Sequence, residues 1–198
     1  MMVWADAHIF IYHRFNDNRY PSTNTSLEEL RKEFDYFKNN GYKVVPLQTL
    51  VQALHNKETI PDNWVVLTID DNYKSFYEHG LALFKEYNYP FSMFVYVGAT
   101  ENKYGDFMSW DQLKDTAKYG SLEFHSMNHP HMNELSDEAL HHDFQEGLSL
   151  FEQRLGLKPH YFSYPFGEFT PRVKKVAQSY GLEARLNQNM GAVATFSD

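Results

Sequence analysis

The chain has 198 residues and a net charge of −8. It is long enough to bury a substantial core, and its acidic balance argues against a nucleic-acid partner. With no cysteine, it has neither disulfides nor thiolate metal ligands, and no apolar run is long enough to cross a membrane.

Residues 8–198 read as one α/β domain. Before them, Ala5-Asp6-Ala7 matches the small-x-small pattern that precedes a signal-peptidase cut, although no charged and apolar leader stands ahead of it. Residues 1–7 are therefore expected to be a signal-peptide remnant, and the protein to work in the periplasm or outside the cell. His8-Ile9-Phe10-Ile11-Tyr12 reads as a strand followed by His13, and residues 16–25 as a loop. Ser26 and Glu29 form a capping box for a helix with an apolar stripe at Leu27, Leu30, Phe34 and Phe37, ended by Gly41. A short strand at 43–46 and a short helix at 47–54 follow.

Val65-Val66-Leu67-Thr68-Ile69-Asp70-Asp71-Asn72 is the most informative stretch. An apolar, β-branched run reads as a buried strand, and it stops at two adjacent carboxylates. Burying both without a counter-charge is costly. The cation is expected to be a metal, held also by histidines of His125-Ser126-Met127-Asn128-His129-Pro130. One Asp and two His would bind it, and the other Asp would remain for proton transfer.

Further along, the pattern predicts a helix at 75–87, a strand at 91–97, a helix from Trp110 to about Tyr119 and a short strand ending at His125. A long helix capped by Ser136 ends at Gly156, a strand covers 161–164, and a helix starts at Pro171. A last strand at 182–186 and a polar tail complete the reading. Strand and helix alternate throughout, which implies a parallel sheet. His13, Asp70, Asp71, His125 and Pro165-Phe166-Gly167 all follow predicted strands, as active-site residues do at the C-terminal face of a (β/α) barrel. About seven strands are expected, one short of a regular TIM barrel.

Thr68-Ile69-Asp70-Asp71, His125-Ser126-Met127-Asn128-His129-Pro130 and Phe162-Ser163-Tyr164-Pro165-Phe166-Gly167 resemble, in that order, three motifs of the polysaccharide deacetylases (the NodB-homology domain, carbohydrate esterase family 4). Tyr12-His13 resembles the biofilm poly-N-acetylglucosamine branch, in which the barrel is circularly permuted and an N-terminal histidine replaces a C-terminal one. The resemblance implies a distorted (β/α)7 TIM-like barrel, permuted and truncated at its C-terminus. It implies Asp71, His125 and His129 as ligands of a divalent metal: Zn²⁺ first, with Co²⁺, Ni²⁺ and Fe²⁺ also suited to the donor set. Asp70 would be the base that activates water, the Phe166 backbone N–H an oxyanion donor, and His13 the acid that protonates the leaving amine.

The implied substrate is an N-acetylated polysaccharide of the poly-β-1,6-N-acetylglucosamine kind. Peptidoglycan, chitin-like oligomers and other amides or esters are the alternatives, as is a glycan-binding domain that keeps the metal without turnover. Tyr164 and Pro165 of the third motif are expected to face substrate, and Tyr73 and Trp110 to stack on sugar rings. The chain departs from the family in three places. Ser163 stands where an Arg often orients the base, Asn72 stands where Gly is common, and the fourth and fifth motifs are not found. His131 reads as surface or as a neighbour of the ligands, and His141 and His142 as solvated.

Overall fold

The computed structural model describes residues 7–182 and the backbone of Ala184–Asn187 and Ala192–Thr195. Of the Ala5-Asp6-Ala7 triplet, only Ala7 lies within the described residues.

A curled, mostly parallel sheet carries the chemistry. Strands β1 (His8–Tyr12), β4 (Lys43–Val44), β5 (Trp64–Asp70), β6 (Ser92–Val95), β7 (Ser121–Phe124), β8 (Tyr161–Ser163), β9 (Ala184–Asn187) and β10 (Ala192–Thr195) form it in the order β1-β5-β6-β7-β8-β9-β10, with β4 also on β5. The neighbours run parallel except β9 and β10. Their C-terminal ends therefore share one edge, and Asp70, His125 and Ser163 lie along it. A separate two-stranded piece, β2 (Arg14–Phe15) with β3 (Asn24–Thr25), folds the expected 16–25 loop back on itself.

The helices form for the reasons the sequence offers. In α1 (Leu27–Asn39) both halves of the Ser26–Glu29 capping box are made, and Leu30, Phe34 and Phe37 are buried. Helices α2 (Leu47–His55), α3 (Leu81–Tyr87), α5 (Trp110–Thr116), α6 (Asp137–Leu155) and α7 (Pro171–Ser179) fall where apolar periodicity places them. Three local expectations are corrected. The 75–87 helix opens with a π-helical turn, Phe76–Gly80. The 91–97 strand stops at Val95 and turns into α4 (Val97–Glu101), because Val97 and Gly98 donate their N–H groups to Ser126 and Met127 instead of to a strand neighbour. The tail supplies β10, an alanine-rich segment with little strand signal of its own that pairs with β9.

Period-two alternation divides the strand residues between two cores. Val65, Leu67, Ile69, Met93, Val95, Phe124 and Phe162 belong to the core that includes the helices α1, α3 and α6. Val66, Phe94 and Tyr161 face the inside of the curl and pack with Leu47, Leu50 and Val51 of α2. Asp70, Glu123, His125 and Ser163 share the parity of this inner face.

The β7–β8 seam has a single register pair, Phe124↔Phe162. Glu123 closes it from within, its carboxylate accepting from the N–H groups of His160 (2.9 Å) and Tyr161 (3.0 Å). Burial pushes the Glu123 carboxyl up to about 7, against the pull of those two N–H groups. The sign follows from linkage: between about pH 4.5 and 7 the folded state keeps a proton that the unfolded state has lost. This contribution to stability is full below that window and disappears as pH rises through it. Urea denaturation of chelator-treated wild type and Glu123→Gln should therefore show a stability difference that changes across the window and is flat above it. Parallel pH profiles for the two proteins would contradict the assignment.

Candidate metal centre

Asp70 ends β5, and the next two residues turn sharply. Asp71 (φ 69°) and Asn72 (φ 43°) both adopt left-handed backbone. Asn tolerates this conformation better than most residues with a Cβ, and here its side chain also holds the turn. Asn72 Oδ1 accepts from the Tyr96 N–H (2.7 Å), its Nδ2 donates to Thr100 Oγ1 (3.0 Å), and its carbonyl accepts from Met108 N–H (3.1 Å). A glycine could make only the last of these contacts. The turn is what brings the Asp71 side chain toward the histidines.

His125 follows β7 and is buried. Its Nδ1 lies 2.8 Å from the Ser163 carbonyl, which can only accept, so Nδ1 carries the proton and Nε2 presents a lone pair in the neutral ring. That Nε2 lies 3.3 Å from Asp71 Oδ1. His129 Nε2 is 3.2 Å from the same oxygen. The three ligand atoms lie within 4.8 Å of one another. Two metal–ligand bonds of about 2.0–2.1 Å at a tetrahedral angle put their donor atoms about 3.3 Å apart. Asp71 Oδ1 and His125 Nε2 are both buried with no hydrogen bond. The three residues therefore suit a divalent ion in spacing, donor type and unmet valence. Burial alone would raise the Asp71 carboxyl, but His125 and His129 outweigh it and hold the group far below the ordinary carboxylate range. Burial opposes charging of His125, and the charges of Asp70 and Asp71 prevail, raising its basicity.

The histidine loop is braced from α6. Asp143 accepts from the N–H groups of Met127 (3.0 Å) and Asn128 (2.9 Å) and from Asn128 Nδ2 (3.2 Å). Ser126 Oγ accepts from the His129 N–H at 2.8 Å. Gly98 must be glycine here, since a Cβ would sit 2.3 Å from the Met127 carbonyl oxygen. Asp143 was not among the sequence candidates. It lies on a helix with no motif around it, and only the fold brings it to the loop.

Asp70 is buried beside the cluster and accepts from Ser163 Oγ at 3.0 Å, so Ser163 partners the carboxylate where an arginine was missing. The β1–β5 register aligns Tyr12 with Ile69, which brings half-buried His13 level with Asp70. Phe166 sits in a 3-10 turn, Pro165–Gly167, at φ 58°, and its ring is exposed. Tyr164 and Pro165 are buried, with the Tyr164 ring packed on Phe162 and Phe169. Tyr73 lies near Asp71; burial and that charge push its hydroxyl up to about 12. Arg14 covers the Tyr73 ring at 3.6 Å and Phe107 packs against it at 4.8 Å, so the protein itself stacks on this side chain. Trp110 donates to Glu101, which also binds Arg154 near the far end of α6; these contacts do not bring it to the cluster.

A family model described as polysaccharide deacetylase matches residues 57–185, more than half of the chain. YxkH of Bacillus subtilis (strain 168), named after the same family, is 23% identical over 195 residues, covering 96% of this chain and 67% of that protein. The poly-beta-1,6-N-acetyl-D-glucosamine N-deacetylase of Escherichia coli (strain K12) is 29% identical over 124 residues, covering 56% of this chain; the chain spans only 18% of that protein. A de-N-acetylase structure from Aggregatibacter actinomycetemcomitans superposes with a TM-score of 0.82 at 21% identity, over 97% of this chain and 91% of that one. At that identity the likeness is one of fold.

Replacing Asp143 with Ala should leave a folded protein whose affinity for Zn²⁺ falls about 10- to 100-fold, as loss of a partner that orients ligands does. Competition with a chromogenic chelator measures it. Unchanged affinity would mean that Asp143 holds the loop without shaping the centre.

Proposed function

The chain belongs to the polysaccharide deacetylase family, and on that premise we propose that it is a metal-dependent hydrolase removing N-acetyl groups from a polysaccharide of the poly-β-1,6-N-acetylglucosamine kind, outside the cytoplasm. The observation that carries the metal dependence is the pair of buried acceptor atoms, Asp71 Oδ1 and His125 Nε2, facing each other at 3.3 Å with His129 beside them. Asp71, His125 and His129 would hold the ion. Zn²⁺ suits this set best, and Co²⁺, Ni²⁺ or Fe²⁺ would serve. A divalent ion there supplies Lewis acidity, which makes water a nucleophile near neutral pH and polarises the amide carbonyl.

The remaining chemistry falls to the chain's own groups. Asp70 takes the proton of the attacking water, with Ser163 Oγ fixing its Oδ2 oxygen. The Phe166 N–H, in the first turn of its 3-10 segment, donates to the oxyanion. His13, level with Asp70 across the β1–β5 pair, gives a proton to the departing amine. Base and acid thus approach from adjacent strands. The products are acetate and a free glucosamine unit. The E. coli relative's name supports the β-1,6 substrate, and the superposed de-N-acetylase supports the amide chemistry.

Asp70→Asn tests the base. Acetate release from β-1,6-linked N-acetylglucosamine oligomers should fall more than about 100-fold while Zn²⁺ affinity stays within about threefold. Equal activity in wild type and variant would remove Asp70 from the mechanism. His13→Ala should cost about 10²–10⁴ in kcat; a loss within threefold would place the acid elsewhere.

A further inference from the structure

The Phe166 backbone N–H serves this chemistry, but its ring takes no part in it. Phe166 is a bulky residue held at φ 58°, and it is 46% exposed. Both the backbone strain and the exposed ring are unfavourable for the free protein, and such strain tends to persist where it serves a site. The ring meets the His129 ring edge-on at 4.6 Å between centroids, so it is continuous with the metal-binding side chains. On its other partner, His131, it stacks nearly flat, at 4.1 Å and 11°. The His131 imidazole is in turn held by Glu168, Nδ1 to Oε1 at 3.0 Å. Phe169, also exposed, follows Glu168 and packs on Tyr164. The result is a braced ledge of two parallel rings leading outward from His129.

We propose that the rings of Phe166 and His131, braced by Glu168, form a binding subsite for the pyranose ring next in the polymer to the unit being deacetylated. The proposal rests on the deacetylase reading and adds a polymer-binding element to it. Three features support a sugar as the occupant. The face of the half-exposed His131 ring turned away from Phe166 complements the C–H face of a pyranose, while Glu168 and the imidazole nitrogens can meet its hydroxyls. The ledge begins at a metal-binding residue, so whatever lies on it is covalently close to the reacting group. His131 and Glu168 have no role in the reaction, so the ledge contributes binding that a single sugar unit cannot use. Such binding is shared by ground state and transition state and registers in KM.

His131→Ala is the test, because His131 is half exposed and outside the reacting machinery. Against β-1,6-linked N-acetylglucosamine hexamer the variant should show a KM raised about tenfold with kcat unchanged. Against the monosaccharide its kcat/KM should stay within about twofold of wild type. Glu168→Ala, which frees the imidazole, should move in the same direction by a smaller factor. Equal losses on both substrates, or no loss on the hexamer, would overturn the subsite. If zinc-loaded wild type releases no acetate from either substrate, the deacetylase reading fails on its own. The ledge is then judged by calorimetry: about tenfold weaker hexamer binding to His131→Ala sustains it, and equal affinity or no binding to either protein removes it.

Discussion

Asp71 Oδ1 and His125 Nε2 face each other at 3.3 Å in the interior, and both have electrons to give. Two acceptors at this distance repel each other unless a cation, a proton or a metal ion, stands between them. The His125 tautomer makes the conflict sharper, because the Ser163 carbonyl claims the Nδ1 proton and leaves Nε2 as the inward acceptor. A divalent ion would turn the same three atoms into a coordination set. Much of the surrounding structure serves to keep them converged.

Backbone strain shows where that convergence is achieved. Of nine non-glycine residues with positive φ among the described residues, five are Asp71, Asn72, Ser126, His129 and Phe166, all within or beside the three motifs. Each is fixed by polar contacts or ring packing from a different part of the chain. The Asn72 side chain ties the β5 turn to Tyr96 and Thr100, Asp143 of α6 ties the histidine loop, and His131 braces the Phe166 ring. The parallel sheet delivers all these turns to one edge, and the Glu123 carboxylate closes the seam where its ladder is shortest. The positions of Asp70 and His13 are set by register, with Tyr12 opposite Ile69 and Asp70 opposite Phe94.

Most of the frame was readable from the chain alone. The Val65–Ile69 run ending in two aspartates, the Ser26–Glu29 box and the alternation of strand and helix are local signals, and local signals determine local structure. The resemblance of the three motifs named Asp71, His125 and His129, and the fold brings these three side chains together. What the sequence concealed is long-range. Ser163 partners Asp70 across 93 positions, and Asp143 reaches back 16 to the Met127 N–H; neither has a pattern of its own. The β2–β3 pair and β10 were missed because their segments are short and polar or alanine-rich, and pairing rather than propensity makes them strands. Tyr73 was expected to meet sugar, yet Arg14 stacks on it, a contact between a strand residue and a loop residue that composition does not reveal.

The most direct measurement is anomalous diffraction from crystals of the chelator-stripped protein reloaded with one equivalent of Zn²⁺. The account predicts a single strong peak between Asp71 Oδ1, His125 Nε2 and His129 Nε2, about 2.0–2.2 Å from each, with Asp70 left out of the coordination and still bound to Ser163. A peak bound by Asp70 in place of Asp71, or none between the histidines, would contradict it.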